Sequence, residues 1–127
     1  MTKASPEHKI QRALIDYLVL AGRPDLHWAA IPNGEHRHIR SALRLKAEGV
    51  RRGSPDLFFM LPQGRVAWLE MKAPNGRLSP DQKAFRDIAK SLDHLWDTAS
   101  SVDDAIVILS RWGVLKPAYR RDTNFFT

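Results

Sequence analysis

Two apolar runs around a tight turn constrain this chain more than any other feature: Pro55–Leu61 (PDLFFML), then Pro62-Gln63-Gly64, then Arg65–Lys72 (RVAWLEMK). Each run is strand-sized, and together they predict a β-hairpin. The hairpin carries charges where buried sheet should be apolar, with Asp56 near its start and Glu70 and Lys72 near its end. If all of Pro62-Gln63-Gly64 forms the loop, Leu61 faces Arg65 and, counting outward, Asp56 faces Glu70. Directly opposed residues share a sheet face, with Cβ atoms roughly 4.5–5.5 Å apart. Lys72, two residues beyond Glu70, projects on that same face. A two-residue loop, Gln63-Gly64, would instead set Glu70 against Leu57 and send the acids to opposite faces.

Two carboxylates held this close repel unless a cation lies between them. A hard divalent cation suits the position, because Mg²⁺ takes oxygen ligands and is commonly held by one or two carboxylates with water and phosphate. Lys72 would then orient or deprotonate an attacking water, or offset charge on a phosphate in the transition state. That is the chemistry of metal-assisted phosphodiester hydrolysis. The structural alternative is a cross-strand acid–lysine pair on a solvated sheet face.

The remaining chain supplies helices and two more strands. Ser5-Pro6-Glu7 is an N-cap, a proline at the first helical position and an acid in the first turn. Ile10, Leu14, Ile15, Leu18 and Val19 follow at helical spacing, and Gly22 and Pro24 end the helix. Leu26–Ile31 is a short apolar strand, broken by Pro32-Asn33-Gly34. Ile39, Ala42, Leu43 and Leu45 predict a second helix that stops near Gly49. Ser79-Pro80-Asp81-Gln82 opens a third, with Phe85, Ile88, Ala89 and Leu92 on one face. His94–Thr98 reads as a strand and Val102–Leu109 as a last helix, with Ala105, Ile106 and Leu109 facing the core. The tail from Trp112 is basic and aromatic. This α-β-α-β-β-α-β-α order predicts an α/β fold, a central mixed β-sheet flanked by helices.

A length of 127 residues favours one domain, with a core over about 7–111 and a basic aromatic tail over 112–127. No apolar stretch reaches membrane-spanning length, and MTKASPEHK has no apolar segment behind its charges, so neither a membrane span nor a signal peptide is expected. Cysteine is absent, which excludes disulfides and cysteine metal sites and fits a reducing cytosol. Twenty Lys and Arg face 14 Asp and Glu, giving a pI of about 10.1, a balance that suits a polyanionic partner. The excess is concentrated in His36, Arg37, His38, Arg40, Arg44, Lys46, Arg51 and Arg52, just ahead of Asp56. A solvated basic helix face would give the same composition.

At the motif level the chain resembles a known family. Pro55-Asp56, then Glu70-Met71-Lys72, is similar to the PD-(D/E)xK nuclease signature. Glu7 with Gln11, Pro32-Asn33-Gly34, the basic helix, Gly53 to Leu57 (G-x-P-D-L) and Gly76 to Gln82 (G-x-L-S-x-x-Q) together resemble the VRR-NUC family, the virus-type replication–repair nucleases. The likeness runs from about Glu7 to Leu109. It implies a restriction-endonuclease-like core and Mg²⁺- or Mn²⁺-dependent cleavage of structured DNA. Carried over by position, it makes Asp56 and Glu70 metal ligands and Lys72 the catalytic lysine. Glu7 would reach the metal site from the first helix and Gln82 would support it from the third. Ser54 departs from the valine that many members place before Pro-Asp. The length resembles viral members associated with dimerisation and four-way-junction cutting, so a homodimer acting on branched DNA is expected, in the cytoplasm of a bacterial or phage-infected cell.

Glu7 and Gln82 each have a second reading, the former as a helix-dipole acid and the latter as half of a capping box with Ser79. His36 and His38 suit phosphate contact or surface better than metal ligation. Trp28, Trp68, Trp96 and Trp112 are core or interface candidates, and Trp96, Trp112, Phe125 and Phe126 are the aromatics offered for a dimer. Two other functions remain open: a non-catalytic basic nucleic-acid-binding module, and an RNase of the same fold. A pure binder gains nothing from acids facing phosphate, which argues against the first. Arg37, Arg40, Arg44, Lys46, Arg51 and Arg52 are the expected DNA-contacting residues. Replacing Arg40 and Arg44 by alanine is expected to weaken binding at all sequences. Titrations at several salt concentrations should show a slope flatter by about one unit for each phosphate no longer neutralised. An unchanged slope would place the DNA path elsewhere.

Overall fold

The structure, a computed structural model, describes residues 5–32 and 39–121, and of residues 39–41 only the backbone. Helix α1 (Pro6–Ala21) begins where the sequence placed its cap: Ser5 accepts a hydrogen bond from the His8 N–H at 3.2 Å. Strand β1 (His27–Ala30) and helix α2 (Ile39–Ala47) follow, then β2 (Leu57–Met60), β3 (Val66–Met71), α3 (Pro80–Ser91), β4 (Leu95–Ala99) and α4 (Val102–Trp112). Short 3₁₀ turns occupy Pro62–Gly64 and Pro117–Tyr119. Among the described residues no helix is long and apolar enough to cross a membrane.

The sheet runs β1-β2-β3-β4, antiparallel across the first three strands and parallel between β3 and β4. It is the expected mixed sheet. The hairpin closes with a bond from the Leu61 N–H to the Arg65 carbonyl at 2.9 Å, leaving Pro62-Gln63-Gly64 as the loop. Gln63 and Gly64 both take positive φ, 66° and 73°, which turns the chain in so few residues. Leu57 therefore pairs with Leu69 and Phe58 with Trp68.

Side-chain alternation gives the two sheet faces different covers. Leu57, Phe59, Ala67, Leu69 and Met71 form one core with Leu14 and Leu18 of α1 and Ile106 and Leu109 of α4. Phe58 and Trp68 point the other way, where Phe85 of α3 meets Trp68 edge to face at 5.0 Å between ring centroids. The Trp68 Nε1–H donates to His94 Nδ1 at 2.9 Å, so this tryptophan serves packing, not base stacking.

Several expectations are corrected. Ile88 and Leu92 are 61% and 62% exposed, because α3 crosses the sheet on its Phe85 and Ala89 side only. Val19 and Leu43 are likewise exposed, at 74% and 65%. Residues after 111 are not merely a tail: Val114 and Leu115 are buried, and Leu115 bridges Gly22. Tyr119 packs on Tyr17. Trp112 is half-buried and packs on Phe59 at the margin of this core, so it has a packing role within the monomer, while Phe125 and Phe126 fall outside the described residues.

Phe59 is 1% exposed at the centre of the larger core. Phe59→Ala is expected to cost about 3–5 kcal/mol, read as a shifted urea midpoint at unchanged slope.

Candidate active site

The register that builds the core also builds the site. One rung outward from Leu57 and Leu69, Asp56 comes opposite Glu70 on the face away from α1 and α4. Strand β1 braces this end, its continuation donating from the Ile31 N–H to the Asp56 carbonyl at 2.8 Å. The Asp56 side chain continues the ladder, Oδ2 accepting from the Met71 N–H at 2.7 Å. A carboxylate offers about four lone-pair sites, so this bond is compatible with ligating a cation as well.

Glu70 is 3% exposed, the most deeply buried charged residue described. Burying a carboxylate costs several kcal/mol unless it is well partnered. Gln82 is one partner, its Nε2 donating to Glu70 Oε1 at 2.8 Å. The same side chain closes the α3 capping box: Oε1 accepts from the Ser79 N–H at 2.8 Å, while the Gln82 N–H donates to Ser79 Oγ at 3.1 Å. The cap decides which way the amide points. An N–H at Ser79 requires an oxygen, so the NH₂ group is left for Glu70. Both sequence readings of Gln82 hold together in one geometry.

Lys72 follows β3 and stays in the sheet, its N–H donating to the Ala99 carbonyl at 2.9 Å. It lines a cleft of about 200 Å³ with Ala73, Asn75, Gly76, Leu78, Thr98, Ser100 and Asp104. Glu7 reaches this end from the first turn of α1, Oε1 accepting from the Ala73 N–H at 3.4 Å. Among the described residues no three acids or histidines gather into a group able to hold an ion. Glu7 therefore sits at the edge of the site, beside the backbone after Lys72, while Asp56 and Glu70 share the rung. Two hard oxygen donors with the remaining positions left to water and phosphate is a set that fits Mg²⁺ or Mn²⁺.

Gly53 is a site residue whose role the sequence reading missed. Its φ is +89°, and a Cβ built there would lie 2.4 Å from the Asp81 carbonyl oxygen. Only glycine lets the segment entering Asp56 touch the first turn of α3, which carries Gln82. The glycine is visible in the sequence, but its partner is 28 residues away and no local pattern names it. Thr98 was also missed, and it pairs with Glu70 across the parallel β3–β4 edge. Ser100 and Asp104 join through a 3.0 Å bond from Ser100 Oγ to Asp104 Oδ2, at the start of α4.

Residues 6–93 match the VRR-NUC domain. The chain belongs to the VRR-NUC family. No curated protein matches it. Two solved structures share the fold. One, "VRR_NUC domain protein", superposes with a TM-score of 0.69 at 18% identity, over 87% of this chain and 90% of that one. The other, "VRR_NUC domain", gives 0.56 at 20% identity over 81% and 96%. The VRR-NUC family is a nuclease-type family, and in this member the motif residues Asp56, Glu70 and Gln82 come together at one end of the sheet, with Lys72 two residues beyond Glu70 in the neighbouring cleft.

Of the basic residues expected to meet DNA, Arg44, Lys46, Arg51 and Arg52 are exposed, and none enters the ion pairs formed among the described residues. Arg37 lies outside the described residues, and Arg40 is described only as backbone in α2.

Gly53→Ala is expected to lower stability by more than about 1 kcal/mol, since the new methyl meets backbone at a positive φ. Urea unfolding reads the loss. An unchanged midpoint would mean that α3 can move aside at no cost.

Proposed function

We propose that this chain is a Mg²⁺- or Mn²⁺-dependent endonuclease that hydrolyses phosphodiester bonds in branched DNA, four-way junctions included, as a homodimer in the cytoplasm of a bacterial or phage-infected cell. The observation that carries the reading is the Asp56–Glu70 rung, with Glu70 buried and oriented by Gln82. A structural acid pair would be solvated. Here Asp56 is half-buried and Glu70 is buried, as carboxylates of a site for a cation and a phosphate would be.

Asp56 and Glu70 would hold the metal ion, which supplies Lewis-acid neutralisation of charge on the phosphoryl oxygens. Gln82 keeps the Glu70 carboxylate from rotating. Lys72 orients the attacking water, or offsets the charge that grows on the phosphate. Glu7, bonded to the Ala73 N–H, holds the strand end that carries Lys72. Arg44, Lys46, Arg51 and Arg52 neutralise the flanking phosphates, with Arg37 and Arg40 of the same segment.

Resolving a four-way junction takes two opposed cuts, and a two-fold dimer supplies two sites. Ile88 and Leu92, one helical turn apart and exposed on α3, give such a dimer an apolar ridge to cover. Light scattering at micromolar concentration is expected to give twice the mass of the 14.5 kDa chain. A monomer that only nicks would reduce the role to structure-selective nicking.

Glu70→Gln and Lys72→Ala are expected to abolish cleavage and leave binding mostly intact, because affinity comes from phosphate contacts and rate from the metal and Lys72. The assay compares duplex, flap, four-way-junction and RNA substrates with and without Mg²⁺. Near wild-type turnover by either variant would refute its assignment, and cleavage of RNA alone would replace the substrate.

A further inference from the structure

On the opposite side of Asp56 from the Lys72 cleft, a groove of about 420 Å³ runs between the end of β1 and the C-terminal half of α2. Its walls are Ile31, Pro32, Leu45, Gly49, Val50, Arg51 and Ser54. Its volume falls in the range of small-molecule sites, roughly 300–1,000 Å³. Nothing in the catalytic reading uses it.

Three observations say what it takes. The groove is continuous with the catalytic rung, because the Ile31 N–H bonds the Asp56 carbonyl at 2.8 Å and Ser54 stands two residues before Asp56. Among the described residues its lining is chiefly apolar side chains and contains no carboxylate. Its described surroundings are mainly cationic: Arg51 is in the wall, Arg44 and Lys46 flank Leu45 in the chain, and Arg52 follows, all exposed, against one exposed acid, Glu48. An apolar slot bordered by arginines beside a phosphate-cutting centre complements a group that is flat, weakly polar and tied to phosphates on both sides. We propose that this groove is a subsite for one unstacked nucleobase of the strand being cut, next to the scissile phosphate. The occupant's identity rests on the DNA-nuclease reading above.

Such a subsite gives a physical reason for preferring branched DNA. Extruding a base from intact duplex costs a few kcal/mol of stacking and pairing, and least where the base is already unpaired. At a branch point that cost is largely met, so the slot selects structure without reading sequence. Val50 is 46% exposed at the mouth, so it can be changed without opening the core.

The test uses the full chain in EDTA, where binding is read without hydrolysis. Junction and flap DNAs carry 2-aminopurine in turn at each position beside the branch. One position is expected to brighten several-fold on binding, since the base leaves its stack for a slot without aromatic quenchers. Val50→Asn should remove the brightening while anisotropy shows DNA affinity kept within about threefold, the phosphate contacts being untouched. The inference is overturned if no position brightens, or if Val50→Asn brightens as wild type does. It is also overturned if Val50→Asn alters only the particle mass in light scattering, which would make the groove an interface between copies. Cleavage of the same DNAs in Mg²⁺ separates the two ideas. Brightening without cleavage defeats the nuclease reading and leaves a base-binding slot with no scissile phosphate beside it, and cleavage without brightening defeats the subsite alone.

Discussion

A single backbone hydrogen bond, from the Leu61 N–H to the Arg65 carbonyl, fixes what the rest of the structure depends on. It sets the loop at three residues and thereby sets every rung of β2 against β3. Strand side chains alternate with a period of two, so a slip of one residue would turn Leu57 and Phe59 out of the core and Asp56 toward it, away from Glu70. Packing and chemistry are thus coupled in one register. The apolar rungs that bury Leu57, Phe59 and Leu69 enforce the position of a rung that has no packing reason to exist, Asp56 opposite Glu70.

That coupling explains how much could be read without coordinates. Signals within a few residues held: the Ser5 and Ser79 caps, the hairpin loop, the strand periods and the helix stops. The rung followed because hairpin counting is arithmetic once the loop length is chosen, although the alternative loop was equally open to the eye. What failed was long-range. Nothing near Val114 and Leu115 says that they fill the gap beside Ala21, where the Lys116 N–H bonds the Ala21 carbonyl at 2.8 Å. Helical spacing placed Ile88 and Leu92 on a core face, but a helix lying across a narrow sheet buries only the stripe it crosses with. The steric demand at Gly53 was invisible for the same reason, since it comes from Asp81.

Gln82 shows why a site residue can hide behind a structural one. Its oxygen caps the start of a helix and its nitrogen holds the buried Glu70 carboxylate, and neither bond can form without fixing the amide for the other. The helix cap thus serves as the second layer of the site. This makes Glu70 rigid at little extra entropy cost, because the side chain that orients it is already immobilised by the fold. It also ties the site to the fold: α3 must dock, over Gly53, before Glu70 gains its bond from Gln82.

The two flanks of the rung are built differently, and the difference suits the chemistry. On the α3 side, Phe85, Trp68, His94 and Gln82 form a close network with defined bonds. On the α2 side, an amphipathic helix leaves Leu43 exposed and a groove open beneath Leu45. A metal and an attacking water need positions held to fractions of an ångström, which the dense flank supplies. A nucleic-acid strand arrives in many conformations and must be accommodated, which a lightly packed, arginine-rich flank does at lower cost. Under the proposed function, distributing rigidity and access to opposite sides of one strand pair would let a small domain keep a fixed metal site beside a wall that accommodates its substrate.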